Sequence, residues 1–145
     1  MAHASRTVRI NRPVTQVFDF FTDVANEKRW RGEHVKEISM SGPVAVGSVV
    51  HQRVAGPGGR AIAADYRITE FVPDTSYVFD VIAGPARPHG DFRFAPAGPD
   101  ATDVTFALSA DLGGLKKLLM ARPVQKSMDG EVAALDRAKA ILEAD

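Results

Sequence analysis

RTVRINRPVTQVFDFF, residues 6–21, changes its period halfway along. Arg6 to Ile10 alternates polar and apolar residues, as a half-buried strand does. After Asn11 and Arg12, Pro13 opens a helix in whose first turn its missing N–H is not needed, and Val14, Val17, Phe18 and Phe21 follow at helical spacing, with Phe20 on the flank. The shared face of these residues predicts that the first helix packs its aromatics against a sheet. Just beyond, Asp23 is placed to cap a second short helix that runs to Trp30 and is closed by Gly32. The residues between, Asn26 to Arg29, read as solvent-facing, and Trp30, the only tryptophan of the chain, ends the segment.

Downstream, the pattern becomes a series of strands punctuated by turn residues: Val35 to Met40, Val49 to Val54, Ile62 to Phe71, Tyr77 to Ile82, Asp91 to Phe94 and Thr102 to Ala110. Each link is too short for a crossover helix, so the strands should form an antiparallel meander, seven strands in all with the N-terminal one. The tail returns to helical spacing. Leu115, Leu118 and Leu119 suggest amphipathic turns, and a break is expected at Arg122–Pro123. Val124, Met128, Val132, Leu135, Ala138 and Leu142 then mark one face of a helix of about 20 residues, about 30 Å long. Gly130 inside that helix implies a bend or a close approach. Nothing divides residues 1–145 into more than one domain.

Eighteen basic residues balance eighteen acidic ones, which removes the electrostatic case for a nucleic-acid or anionic-membrane partner. Without cysteine there is no disulfide, thiolate nucleophile or Cys-based metal centre. His3, His34, His51 and His89 lie at no metal-ligand spacing. No nucleophile elbow, phosphate loop or dinucleotide fingerprint occurs, so no cofactor is expected; Gly56 to Gly59 reads as a hairpin loop. No apolar run is long enough to span a bilayer, and a cytoplasmic protein is the expectation.

The order of strand, two short helices, six antiparallel strands and long helix resembles the START-like, helix-grip superfamily (SRPBCC), in particular its polyketide cyclase/dehydrase-like branch. The residues carrying the resemblance are Pro13 with Val17-Phe18, Trp30 ending the second helix, Val46-Gly47, Ile68 to Pro73, Thr102 to Phe106 and the closing helix from Leu135 to Glu143. The resemblance covers essentially the whole chain and implies an α+β helix-grip fold: a seven-stranded curved antiparallel sheet wrapped around a long C-terminal helix. A hydrophobic cavity between them would be closed at one end by the two short helices.

On that reading the protein binds a small hydrophobic molecule that is lipid-, aromatic- or polyketide-like; the alternative is a polyketide cyclase, aromatase or dehydratase acting in the same cavity. The expected wall comprises Trp30, Val50 and Gln52, then Tyr66, Ile68, Phe79, Phe92 and Phe106 from the sheet, with Met120, Val124 and Met128 from the helix. Gln52 belongs to the wall if Val50, Gln52 and Val54 face inward; the opposite parity would present His51 and Arg53. The catalytic candidates are Tyr66, Asp65, Arg53 and His51. Arg53, Arg67 and Arg93 are expected to face solvent, although one arginine reaching inward, with an acid beside it, would suit such a pocket. Gly113 to Met120 could form a lid, and open sheet edges permit a homodimer.

Overall fold

The computed structural model describes residues 2–145, apart from the side chains of Pro57 and of residues 115–118. β1 (Ala2–Ile10) leads through Pro13 into α1 (Val14–Thr22). A 3-10 turn (Val24–Asn26) follows, capped by the Asp23 carboxylate accepting from the Ala25 N–H at 3.0 Å, and delivers the chain into the five-residue α2 (Glu27–Arg31). Gly32, with φ of 63°, ends α2 in a conformation that favours glycine.

The strands are β2 (Val35–Ser39), β3 (Val49–Ala55), β4 (Ala61–Ala63), β5 (Tyr66–Val72), β6 (Ser76–Val81), β7 (His89–Pro96) and β8 (Thr102–Ala110). Six of them, all but β4, form with β1 one curled antiparallel sheet in the order β1-β8-β7-β6-β5-β3-β2, the seven-stranded meander expected, with β1 returning to pair with β8. The single expected strand from Ile62 to Phe71 is split. Asp65 turns out of the ladder, its carboxylate accepting from the Gln52 N–H at 3.1 Å and contacting the His51 ring at 2.8 Å, so that the short β4 continues along β3 alone. Within β5 a register shift between Ile68 and Glu70 resets the alternation and brings Phe71 to the half-buried side.

The closing helix departs from the sequence expectation at Pro123. α3 (Leu115–Ala133) runs through this proline, and the interruption comes at Ala134, which keeps helical angles (φ −64°, ψ −14°) before α4 (Leu135–Ala144). A proline inside a helix removes one hydrogen bond and crowds the preceding turn. Met120, Val124 and Met128, four residues apart across it, pack against the same core and hold both sides in register. Gly130 proves to be a close approach, since a Cβ there would sit 2.9 Å from His34 Cε1.

α3 lies against β1 and β8, α4 against β1 and α2. Gln125 donates to the His3 carbonyl and Lys139 to the Arg9 carbonyl, so the helix also occupies the outer edge of β1. The core between helix and sheet is aromatic. Tyr77, Phe92 and Phe106 stand on neighbouring rungs of β6, β7 and β8, with Phe92 stacked on Phe106 at 4.1 Å and 8°. Phe79 lies across Gly90, where a Cβ would overlap its ring. Gly90→Ala is therefore expected to destabilise the protein by about 1–3 kcal/mol through overpacking, read from chemical denaturation; a neutral result would show that Phe79 has room to move.

Candidate functional site

α2 is too short to be stable alone, yet its helical spacing places Glu27, Trp30 and Arg31 on one face, and all three are buried. Arg31 is the centre. Its Nε donates to Glu131 Oε2 at 2.9 Å and its Nη2 to Glu131 Oε1 at 3.3 Å. Its Nη1 donates both to Glu27 Oε2 at 3.1 Å and to Gln52 Oε1 at 2.9 Å. Gln52 is held in turn by donating from Nε2 to the Ala64 carbonyl at 2.9 Å. One guanidinium thus ties α2 to α3 and to β3.

Two carboxylates and one guanidinium leave this cluster with an excess negative charge when all are ionised. Burial is the main cause that raises the Glu27 carboxyl to about 7, against the opposing pull of Arg31. Burial also disfavours the charged form of Arg31, but Glu131 and Glu27 outweigh it and the guanidinium is held firmly protonated. The consequence for stability has a definite sign. A carboxyl whose folded pKa lies above its unfolded value contributes stability fully below the unfolded value, here 4.5, and loses it as pH rises through about 7. Unfolding free energy is expected to fall across that window, and Glu27→Gln should flatten the slope; an unchanged pH profile in the variant would reject Glu27 as its source.

The two tyrosines of the chain lie beside this cluster. Burial raises the ionisation of Tyr66 well above its usual value, and the Glu27 charge adds to it; Tyr77 behaves alike for the same two reasons. The phenols are close enough to influence one another, but Tyr77 Oη finds no hydrogen-bond partner of acceptable geometry. Among the described residues Trp30 Nε1 is the other such atom. Both residues are only 1% exposed, and each unpaired buried polar group costs about 1–3 kcal/mol. Aromatic rings surround them: Trp30 is edge-on to Phe21, Phe92 and Phe106, and Tyr77 meets Phe71, Phe79 and Phe92.

An open groove of about 820 Å³ adjoins this interior, between α1 and the 3-10 turn on one side and β2 with Pro43 and Val44 on the other. Its apolar lining is Val24, Ala25, Ile38, Met40, Val44 and Phe71, with Asp19, Asp23 and Lys28 at the rim. Phe71 belongs to both regions: it lines the groove and packs edge-on against Tyr77, ring centroids 6.1 Å apart.

Of the residues expected to form a wall, Trp30, Val50, Gln52, Tyr66 and Ile68 are buried, as are Phe79, Phe92, Phe106, Val124 and Met128. Met120 is half-buried against the same core. β3 takes the parity that turns Val50 and Gln52 inward, leaving His51 and Arg53 exposed. His51 pairs with Asp65 across the outer surface, and this contact holds the Asp65 carboxyl below its usual range. Tyr66 is buried on the inner side, so the four catalytic candidates are not gathered in one place. Arg53, Arg67 and Arg93 are exposed. The inward arginine is Arg31, and the supposedly solvated Asn26 to Arg29 stretch contains the buried Glu27. The Glu27–Arg31 spacing of four with Trp30 between was the available signal. Of the proposed lid, Leu119 is exposed and the side chains of residues 115–118 lie outside the described residues.

Residues 1–140 match the family model described as polyketide cyclase/dehydrase and lipid transport, and the chain belongs to that family. Solved structures share the fold. TTHA0849 from Thermus thermophilus superposes with a TM-score of 0.79 at 18% identity, covering 98% of this chain and 97% of that one. The ZhuI aromatase/cyclase from Streptomyces gives 0.75 at 12% identity, covering 99% and 95%. Norcoclaurine synthase from Thalictrum flavum gives 0.76 at 9% identity, covering 99% and 87%. No curated protein matches the chain in sequence. Among the described residues no helix is long and apolar enough to cross a membrane.

Proposed function

We propose that this protein binds a small hydrophobic molecule in the interior between the sheet and the C-terminal helix, entering from the groove past Phe71. The observation that carries the reading is the pair of unpaired buried donors, Trp30 Nε1 and Tyr77 Oη, set in an aromatic interior. A core built for stability alone would place phenylalanine at such positions. Binding would draw on burial of apolar area, about 25 cal/mol per Å², with a few polar groups fixing orientation. Native mass spectrometry of the purified protein tests this. A co-purified apolar molecule supports the reading, and a clean apo mass together with unaltered Trp30 fluorescence across an apolar ligand panel would reject it.

A second reading, a cyclase, aromatase or dehydratase acting on a polyketide-like substrate in the same interior, is favoured by one observation. Glu27 is a buried carboxyl poised near neutrality beside two phenols, which suits proton transfer. Turnover lost in Glu27→Gln with ligand affinity retained would support catalysis. Turnover insensitive to both Glu27→Gln and Tyr66→Phe would remove it.

A further inference from the structure

The zero net charge of the chain is an average of unequal parts. From Leu112 to Met128 the sequence carries four cations, Lys116, Lys117, Arg122 and Lys126, and no acid, so the rest of the chain holds eighteen acidic residues against fourteen basic ones. Most of this segment is the first part of α3. Val124 and Met128 turn one face of it to the core, and Gln125 fastens it to the edge of β1, accepting from the His3 N–H at 3.3 Å and donating to the His3 carbonyl at 2.8 Å. The opposite face carries Leu119, Arg122, Pro123 and Lys126, all exposed. Leu119 is 79% exposed, more than Val46 and Val72, the other exposed large apolar side chains among the described residues. We propose that this face is a peripheral docking surface for an anionic lipid bilayer, with Leu119 and Pro123 entering the headgroup layer and the cations lying against the lipid phosphates.

A surface helix ordinarily keeps its outer face polar, whereas here that face sets an aliphatic side chain and a proline ring four residues apart with cations beside them. Neither Arg122 nor Lys126 has a carboxylate partner among the described residues. Of the acids flanking the segment, Asp129 accepts from Gln125 Nε2 at 2.9 Å, and Asp111 lies outside the helix. Anionic lipid is the occupant that fits both features. Its phosphates answer the free cations and its acyl boundary answers the leucine, whereas a nucleic-acid backbone answers the charges alone. The surplus of acids elsewhere is repelled by the same bilayer, which fixes the orientation in which the protein meets it. With four cations and one leucine the attachment is reversible and salt-sensitive, a contact on the surface and not a span. This face lies outside the interior and does not depend on what the interior holds.

The test floats the full chain with vesicles of phosphatidylcholine alone and of phosphatidylcholine containing about 30% phosphatidylglycerol. At about 0.1 M salt binding to the anionic vesicles is expected to be at least about tenfold stronger, and at about 1 M salt, where charges are screened within about 3 Å, the protein should be released. Arg122→Gln combined with Lys126→Gln should weaken binding about tenfold or more, since each cation at such a surface is worth about a factor of five. Leu119→Ser should weaken it about three- to tenfold while keeping the salt dependence. Arg60→Gln combined with Arg67→Gln, exposed cations on the other half of the sheet, should change it less than about twofold. Leu119→Trp should give a blue-shifted emission on adding the anionic vesicles, against the steady signal of the buried Trp30. Equal binding to the two vesicles, binding to neither, undiminished binding of the double glutamine variant at 122 and 126, or binding that leaves the Leu119→Trp emission unmoved overturns the proposal. So does a DNA duplex of about 20 base pairs that holds the protein as firmly as the anionic vesicles do, which would mark a general polyanion face. None of these outcomes bears on ligand binding in the interior.

Discussion

Arg31→Met is expected to lower the unfolding free energy by about 3–5 kcal/mol at about pH 8, because the buried Glu27 and the half-buried Glu131 lose their counter-charge while their surroundings stay the same. The loss should shrink as pH falls. Protonation of Glu27, whose carboxyl is already raised to about 7, removes one of the stranded charges, so the variant and the parent should converge toward acid. Chemical denaturation at several pH values provides the measurement. A pH-independent loss would mean that methionine merely packs poorly, and a loss below about 1 kcal/mol would mean that water already reaches the cluster. Replacing Glu27, Arg31 and Glu131 together by apolar residues of similar volume should be far milder than removing Arg31 alone, since no charge is left unpaired.

Phe92→Ala is expected to cost about 3–5 kcal/mol. Phe92 sits midway between Tyr77 and Phe106 in the cross-strand row and also touches Phe21, Trp30, Phe79 and Phe94, so its removal withdraws support from the sheet, α1 and α2 at once. Equilibrium unfolding in denaturant measures the loss. A cost below about 1 kcal/mol would reveal an interior able to collapse into the vacated space, and hence one far less tightly packed than the ring geometry indicates.

The architecture was legible because its signals are local and repeated. Pro13 and the Val14, Val17, Phe18, Phe21 face define α1, and short turn-rich links force an antiparallel meander. What escaped was decided by tertiary contact. Asp65 breaks a strand because its carboxylate serves the Gln52 N–H and the His51 ring, and neither partner is near in sequence. Pro123 is carried inside α3 by packing on both sides of it. Glu27 looked solvated because charged residues are almost never fully buried unless paired, and the acid that completes the cluster around its partner Arg31, Glu131, lies a hundred positions beyond that arginine. For the candidate site, the inner parity of β3 was one of two alternatives in the alternating sequence; burial against the helix side selected it.

The pairing of β1 with β8 has a temporal consequence. Ala2–Ile10 is synthesised before the other strands of the sheet but finds its strand partner only when Thr102–Ala110 exists, and its outer edge is occupied only when Gln125 and Lys139 arrive. Val8 and Ile10, both destined for the core, must wait until β8 has been made with their apolar side chains unsheltered. Such distant pairing slows folding and makes closure of the sheet a late event on the ribosome. Nascent chains arrested before β8 should therefore engage holding chaperones through β1, whereas those arrested once α4 has emerged should not.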